Sequence, residues 1–233
     1  MCLAAMANGR KLVPMVVFKG KRIPQELREI KGVVVEFSHN GWMQPETTIS
    51  WISRVWGSVG FVERILVWDS FRCHLVDETQ KALKKSRTLM ACIPGGCTKL
   101  LQPADVSWNK SFKEKYRELY ENWLQEDDRK LDVTVHGNPR GPSKLRMVEW
   151  VKKAWDSLTS EIIIKSFDCC GITTADPDII NCTRIGGVAE KVRENLSQIQ
   201  DTTIFTDDKN EENDNLDDID SNDIDLSLNH LIL

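Results

Sequence analysis

Asp69 and Asp105 are the residues whose type and placement could do chemistry in this chain. Asp69 closes an apolar run, Ile65 to Trp68. Asp105 stands in Gln102-Pro103-Ala104-Asp105, just before the sequence enters a helical pattern. Between them a second apolar run, Leu89 to Ile93, leads into Pro94-Gly95-Gly96. Two carboxylates at the ends of regular elements that could lie side by side are the sequence form of a divalent-metal site. Hydrolysis or strand transfer at a phosphodiester commonly uses two such ions, one activating the attacking oxygen and one steadying the leaving oxygen. Hard cations take oxygen ligands and keep several waters, so a few acids on rigid elements suffice. Plainer readings stand beside this one: Asp105 as the N-cap of the helix that follows, and Asp69 as a turn residue closing its strand. His74, five residues after Asp69, either touches such a site or caps a turn. Cys92 and Cys97 have no second Cys/His pair at zinc spacing and are expected to be buried thiols.

The elements that must position these residues follow from the order of apolar runs. Cys2–Ala7 and Leu12–Phe18 flank Asn8-Gly9, the strongest short hairpin cue a sequence offers. Lys19 to Pro24 reads as a basic turn, and Gly32–Phe37 as a third strand. Gln44-Pro45-Glu46 opens a helix with proline at its first position, and Ile49, Ile52, Val55 and Trp56 recur at helical spacing along it. Phe61–Trp68 reads as a fourth strand, apolar enough to be covered on both faces. Val76–Ser86 is helical and Thr88–Ile93 is a fifth strand. Three strands in hairpin order, followed by alternating helices and strands, describe an α/β protein with a mixed sheet and helices packed on it.

Val106–Gln125 is the longest predicted helix. Its stripe of Trp108, Phe112, Tyr116, Leu119, Tyr120 and Trp123 is expected to be core rather than a platform for stacking bases. Its lysines and arginine alternate with glutamates, so it is no basic arm. Residues 126–144 read as a loop or insertion, with Asn138-Pro139 and Gly141-Pro142 as breakers. Residues 145–200 read as a helical extension: an amphipathic helix over Leu145–Leu158, another over Ser160–Cys169 ended by Gly171, and one more over Val188–Ile199.

The charge is segregated. The chain has 233 residues and a formal net charge of −4, yet eleven acids and a single base, Lys209, lie in residues 201–233. Residues 1–200 hold thirty basic and twenty-four acidic side chains, a mildly basic body of the kind that suits a nucleic-acid partner. The Asp/Asn-rich tail is expected to be disordered until it meets a partner; its apolar end, Leu226–Leu233, reads either as a segment that folds on that partner or as a frayed end. Seven cysteines with no secretory leader point to a reducing compartment, cytosol or nucleus. No apolar run approaches membrane-spanning length. Asn181-Cys182-Thr183 is a glycosylation sequon in form only.

Several runs resemble the DDE endonuclease domain of pogo/Tigger-type transposases, the group that includes centromere protein B and jerky-like proteins. They are M-A-N-G-R-K-L-V-P-M-V-V-F-K-G-K-R, W-D-S-F-R-C-H-L and I-P-G-G-C-T-K-L-L-Q-P-A-D-V-S-W-N-K-S-F-K, supported by Asn40–Met43, the helix from Trp51 to Trp56 and I-I-I-K-S-F-D-C-C-G-I at 162–172. The likeness spans about residues 1–175 and implies an RNase-H-like fold over residues 1–125, DNA as partner, Mg²⁺ or Mn²⁺ as cofactor, and work in the nucleus. It would make Asp69 the second acid of the triad and Asp105 the third. Ser70 and Ala104 depart from the usual residues, and no acid precedes Glu26, so the first acid is absent here. The implied function is a nucleic-acid-binding, catalytically impaired domain. Two alternatives are an active Mg-dependent endonuclease or transposase once the missing strand is supplied, and a non-catalytic interaction protein that uses the acidic tail.

Overall fold

Asn8-Gly9 turns the chain back on itself, with Gly9 at φ 85°. In the computed structural model, which describes residues 1–57, 63–126, 133–134 and 140–173, the two arms of this hairpin are tied by backbone hydrogen bonds. Cys2 N–H donates to Met15 O at 2.7 Å, Met15 N–H returns to Cys2 O at 2.9 Å, and Leu12 N–H donates to Ala4 O at 2.8 Å. A Cβ at Gly9 would lie 2.8 Å from Ser160 Cβ, so glycine both permits the turn and lets it close on a later helix.

The second arm continues as β1 (Met15–Lys19), which pairs in parallel with β2 (Val34–Ser38), Met15 opposite Val34 and Lys19 opposite Ser38. This corrects the expected hairpin order of the first three strands. A short helix, α1 (Gln25–Arg28), lies between them; parallel neighbours need such a crossover, whereas a tight turn would have made them antiparallel. The next helix, α2 (Pro45–Trp51), has Pro45 in its first turn and passes into a π-turn over Ile52–Trp56. Ile52, Val55 and Trp56 are buried there, and Trp56 Nε1 donates to Thr88 Oγ1 at 2.8 Å.

β3 (Arg64–Asp69) pairs in parallel with β4 (Thr88–Ile93), Arg64 opposite Thr88 and Asp69 opposite Ile93. The crossover runs through α3 (Arg72–Leu75) and α4 (Asp77–Lys85). Leu66 and Trp68 are buried, but Ile65 is 62 % exposed and Leu89 56 %. The pair is therefore covered on one face, not both; the run of apolar residues concealed an alternation. Cys92, opposite Trp68 in the register, is likewise exposed and Cys97 half-buried, contrary to the expectation of buried thiols. Among the described residues the sheets are two parallel pairs, β1–β2 and β3–β4, with the antiparallel hairpin arm bridged onto β1, rather than one continuous mixed sheet. The architecture is mixed α/β.

After β4 come α5 (Thr98–Leu101), a π-turn over Ala104–Trp108, and α6 (Asn109–Leu124). The aromatic stripe of α6 is core, as its spacing predicts. Trp108, Phe112, Tyr116 and Trp123 are buried. Tyr116, Tyr120 and Trp123 close edge-on around Trp150 of α7 (Lys144–Asp156), with ring centroids 5.9, 6.1 and 5.5 Å away. Trp108 stacks on Trp155 at 5.3 Å. The last described helix, α8 (Ser160–Cys169), ends on Gly171 at φ 68°, with Gly171 N–H bonded to Asp168 O and Ile172 N–H to Phe167 O. That is the glycine-terminated motif its sequence indicates. The expected helix at Val188–Ile199, the sequon and the tail from Asp201 lie outside the described residues, as does most of the 126–144 segment.

The hairpin and α7 are tied by one cation. Lys11 Nζ donates to Trp155 O, Asp156 O and Leu158 O at 2.7–2.9 Å, meeting the carbonyls that a helix leaves unpaired at its C-terminus. Trp155 Nε1 donates to Leu12 O at 2.8 Å in the same seam. Replacing Lys11 with Met should lower the unfolding free energy by about 1–2 kcal/mol. Lys152→Met, which breaks only an exposed pair with Asp156, should change it by less than about 0.5 kcal/mol. Urea unfolding of the two variants checks this; equal losses would remove Lys11 as a structural tie.

Candidate functional site

Asp69 is the last residue of β3 and lies opposite Ile93, the last residue of β4. From Ile93 the chain runs through Pro94-Gly95-Gly96 and α5 into the π-turn that begins α6, where Asp105 is the second residue. Parallel pairing therefore puts Asp69 beside the start of the segment that carries Asp105. The charge of Asp69 is among the lesser causes that raise the pKa of Asp105.

Asp69 is a positioned carboxylate. Its Oδ1 accepts from Phe71 N–H at 3.1 Å and lies 3.0 Å from His74 Nδ1. His74 Nδ1 is also 3.1 Å from the Asp69 carbonyl oxygen. Both neighbours of this nitrogen are acceptors, so Nδ1 carries the hydrogen. The ring of His74 is fully buried and stacks on Trp68, with centroids 4.0 Å apart and planes 7° apart. Its Nε2 is buried without a hydrogen-bond partner. Thus His74 is both a turn residue, through the Asp69 carbonyl, and a direct neighbour of the carboxylate. The two roles that the sequence sets against each other coexist, because a five-residue step around a strand end brings backbone and side chain of Asp69 to the same nitrogen.

Asp105 does not cap its helix. Pro103 occupies the cap position of the π-turn, and Asp105 Oδ1 instead accepts from Asn109 Nδ2 at 2.6 Å. Asn109 is one helical turn on, a spacing at which side chains meet, and that relation is readable in Asp-Val-Ser-Trp-Asn. The Oδ1 of Asn109 is buried without a partner. Burial is the main cause of the raised pKa of Asp105, Asp69 adds to it, and the Asn109 hydrogen bond and the charges of Lys113 and Lys99 oppose it.

The donor set here is carboxylate and amide oxygen, which suits a hard divalent cation. It is also small. Among the described residues no group of three His, Cys, Asp or Glu side chains is arranged to hold a metal ion. The residues present thus fit a single ion completed by water or by a further carboxylate, and do not by themselves make a two-ion set.

A carboxyl whose pKa is raised on folding takes up its proton more readily folded than unfolded, so its ionised form weakens the fold. Asp105→Asn keeps an acceptor for Asn109 and removes the charge. It should raise the melting temperature at pH 7, and the gain should shrink as pH falls through the Asp105 pKa. Melting curves from pH 7 to pH 4 check this; a gain that does not depend on pH would assign the effect to something other than the charge.

Comparison with known proteins now bears on this arrangement. Residues 1–167 match the family model described as DDE superfamily endonuclease. The mouse and human proteins named "Pogo transposable element with KRAB domain" are each 33 % identical over 176 residues, covering 74 % of this chain and 28 % of their own length. The human "Pogo transposable element with ZNF domain" is 30 % identical over 136 residues, which is 54 % of this chain and 10 % of that protein. The chain thus spans little more than a quarter of the length of the KRAB-domain relatives. No solved structure matches it. A family-model match over residues 1–167, together with relatives 33 % identical over 176 residues, places this chain in the DDE superfamily endonuclease family, with relatives among pogo transposable elements.

Proposed function

We propose that residues 1–125 are the RNase-H-like core of a pogo-derived, DNA-binding domain that works in the nucleus, with Asp69 and Asp105 as the ligands of one Mg²⁺ or Mn²⁺ ion. The observation that carries this reading is the electrostatic proximity of the two acids, in a chain of the DDE family. Such an ion supplies Lewis acidity toward a phosphodiester and a more acidic bound water. The chain's own residues do the rest. Phe71 N–H and His74 hold Asp69 Oδ1 in one orientation, and the Trp68 ring holds His74. Asn109 fixes Asp105. Lys99 and Lys113, close enough to act on Asp105, offer positive charge beside the site where a phosphate would come.

The same geometry supports catalytic impairment of this polypeptide by itself. A DDE reaction needs a third carboxylate, and among the described residues no group of three His, Cys, Asp or Glu side chains is arranged to hold a metal ion. A domain that keeps a weak ion site and a basic body while losing strand transfer is a DNA-binding module. Activity would return if another segment brought an acid to the Asp69 end of β3. The acidic residues after Asp201 add a surface that would favour basic protein partners over DNA.

Calorimetric titration with Mn²⁺ tests the site. The unaltered chain should bind at least about tenfold more tightly than Asp69→Ala or Asp105→Ala, a difference of about 1.4 kcal/mol. Equal weak binding in all three would end the metal reading. With supercoiled DNA and Mn²⁺, nicking by the unaltered chain should not exceed that of Asp69→Ala; clear excess would show that two acids suffice and would overturn the impairment.

A further inference from the structure

Seven of the eight tryptophans are buried; the eighth, Trp42, is 41 % exposed. One apolar side chain on a surface needs no explanation, but this one stands beside a loop rich in cations. The parallel pairing of β1 with β2 puts the segments that follow both strands at one end of the pair, with Lys19 opposite Ser38. Gly20 N–H donates to Ser38 O at 2.9 Å. Gly41, at φ 83°, comes so close that a Cβ there would lie 3.2 Å from Lys19 N. Residues 19–24 and 39–44 are therefore two loops in contact, and neither contains an acid.

The first loop supplies three exposed cations, Lys19, Lys21 and Arg22. Lys144, also exposed, reaches over the Phe18 ring from the start of α7, with Nζ 5.9 Å from the centroid. Among the described residues none of these four is ion-paired. Four such charges near the end of one strand pair suit the repeating charge of a phosphodiester chain.

Trp42 is held on both sides. Its N–H donates to Asn40 Oδ1 at 3.1 Å, and its carbonyl oxygen accepts from Ser38 Oγ at 2.8 Å. A ring on a fixed backbone loses little freedom when a partner settles on it. Single strands use this combination, their bases stacking on aromatic rings while the backbone follows positive charge. In a duplex each base face is covered by its neighbours, so the same indole has nothing to stack on. The loop also lies near the acids: Cys73 Sγ donates to Met43 O at 3.3 Å. Met43 follows Trp42, and Cys73 precedes His74, which contacts Asp69.

We propose that Trp42, Lys19, Lys21, Arg22 and Lys144 form a seat for unpaired DNA, with one base on the indole and the flanking phosphates on the cations. The inference rests on the DNA-binding reading above and is independent of the ion. Fluorescence anisotropy of the full chain in EDTA tests it, with labelled oligothymidylate and a labelled duplex of equal length. Trp42→Ala should weaken binding to the single strand about tenfold and leave duplex binding unchanged. Trp42→Phe should keep most of the single-strand affinity. Lys21→Glu/Arg22→Glu should weaken binding to both DNAs and flatten its salt dependence, whereas Lys84→Glu/Lys85→Glu, at the end of α4, should not. The inference is overturned by a Trp42→Ala variant that loses nothing or loses equally on both DNAs. A Phe variant as weak as the Ala variant, or equal effects of the two charge reversals, would also overturn it. An unaltered chain that binds the duplex but not the single strand would sink this inference alone; one that binds neither would sink the DNA-binding reading with it.

Discussion

The parallel pairing of β3 with β4 is the constraint on which the acidic end of the molecule depends. It fixes Asp69 opposite Ile93, so the chain that leaves Ile93 starts beside Asp69 and reaches Asp105 after one short helix and a π-turn. An antiparallel pairing of the same strands would have sent the loop after β4 to the far end of β3. Buried Leu66 and Trp68 hold the register, since a one-residue slip would carry Trp68 to the exposed face and Ile65 or Val67 to the core. The placement of two carboxylates is in this sense a packing consequence of one tryptophan.

Trp68 acts twice. It anchors β3 in the core, and its face supports the His74 ring, whose Nδ1 meets the carboxylate one residue beyond Trp68. The acid is therefore oriented by groups on its own strand and turn, independent of any ion. Asp105 is held differently, by a side chain one turn along its own helix, and its burial works against its charge. A divalent cation beside Asp105 would offset that penalty.

Much of this was legible in the residues. The limits of β4 and α8, the proline-led α2, the glycine end of α8 and the core role of the α6 stripe all follow from local rules, because each depends on near neighbours in sequence. The opening of the fold was less legible. The cue at Asn8-Gly9 is local and held, but the relation of β1 to β2 depends on a crossover whose four-residue helix, Gln25–Arg28, looks like a basic loop. The one-sided burial of β3 was hidden because Ile65 and Val67 are as apolar as Leu66; only the neighbours decide which face is covered. At the site, the i,i+4 pair Asp105 and Asn109 was readable, whereas the His74–Trp68 stack was not, since no spacing rule says that an imidazole will lie flat on an indole six residues back.

The tie between Lys11 and the end of α7 has a consequence for how the chain is made. Its acceptors are carbonyls as far along as Leu158, and the hairpin that carries Lys11 leaves the ribosome well before them. That hairpin must wait, with its ammonium unsatisfied and Leu12 O without the Trp155 indole, until nearly all of the described protein has been synthesised. Translation thus delivers the two halves of this seam 147 residues apart, and the hairpin cannot complete its packing until α7 has emerged.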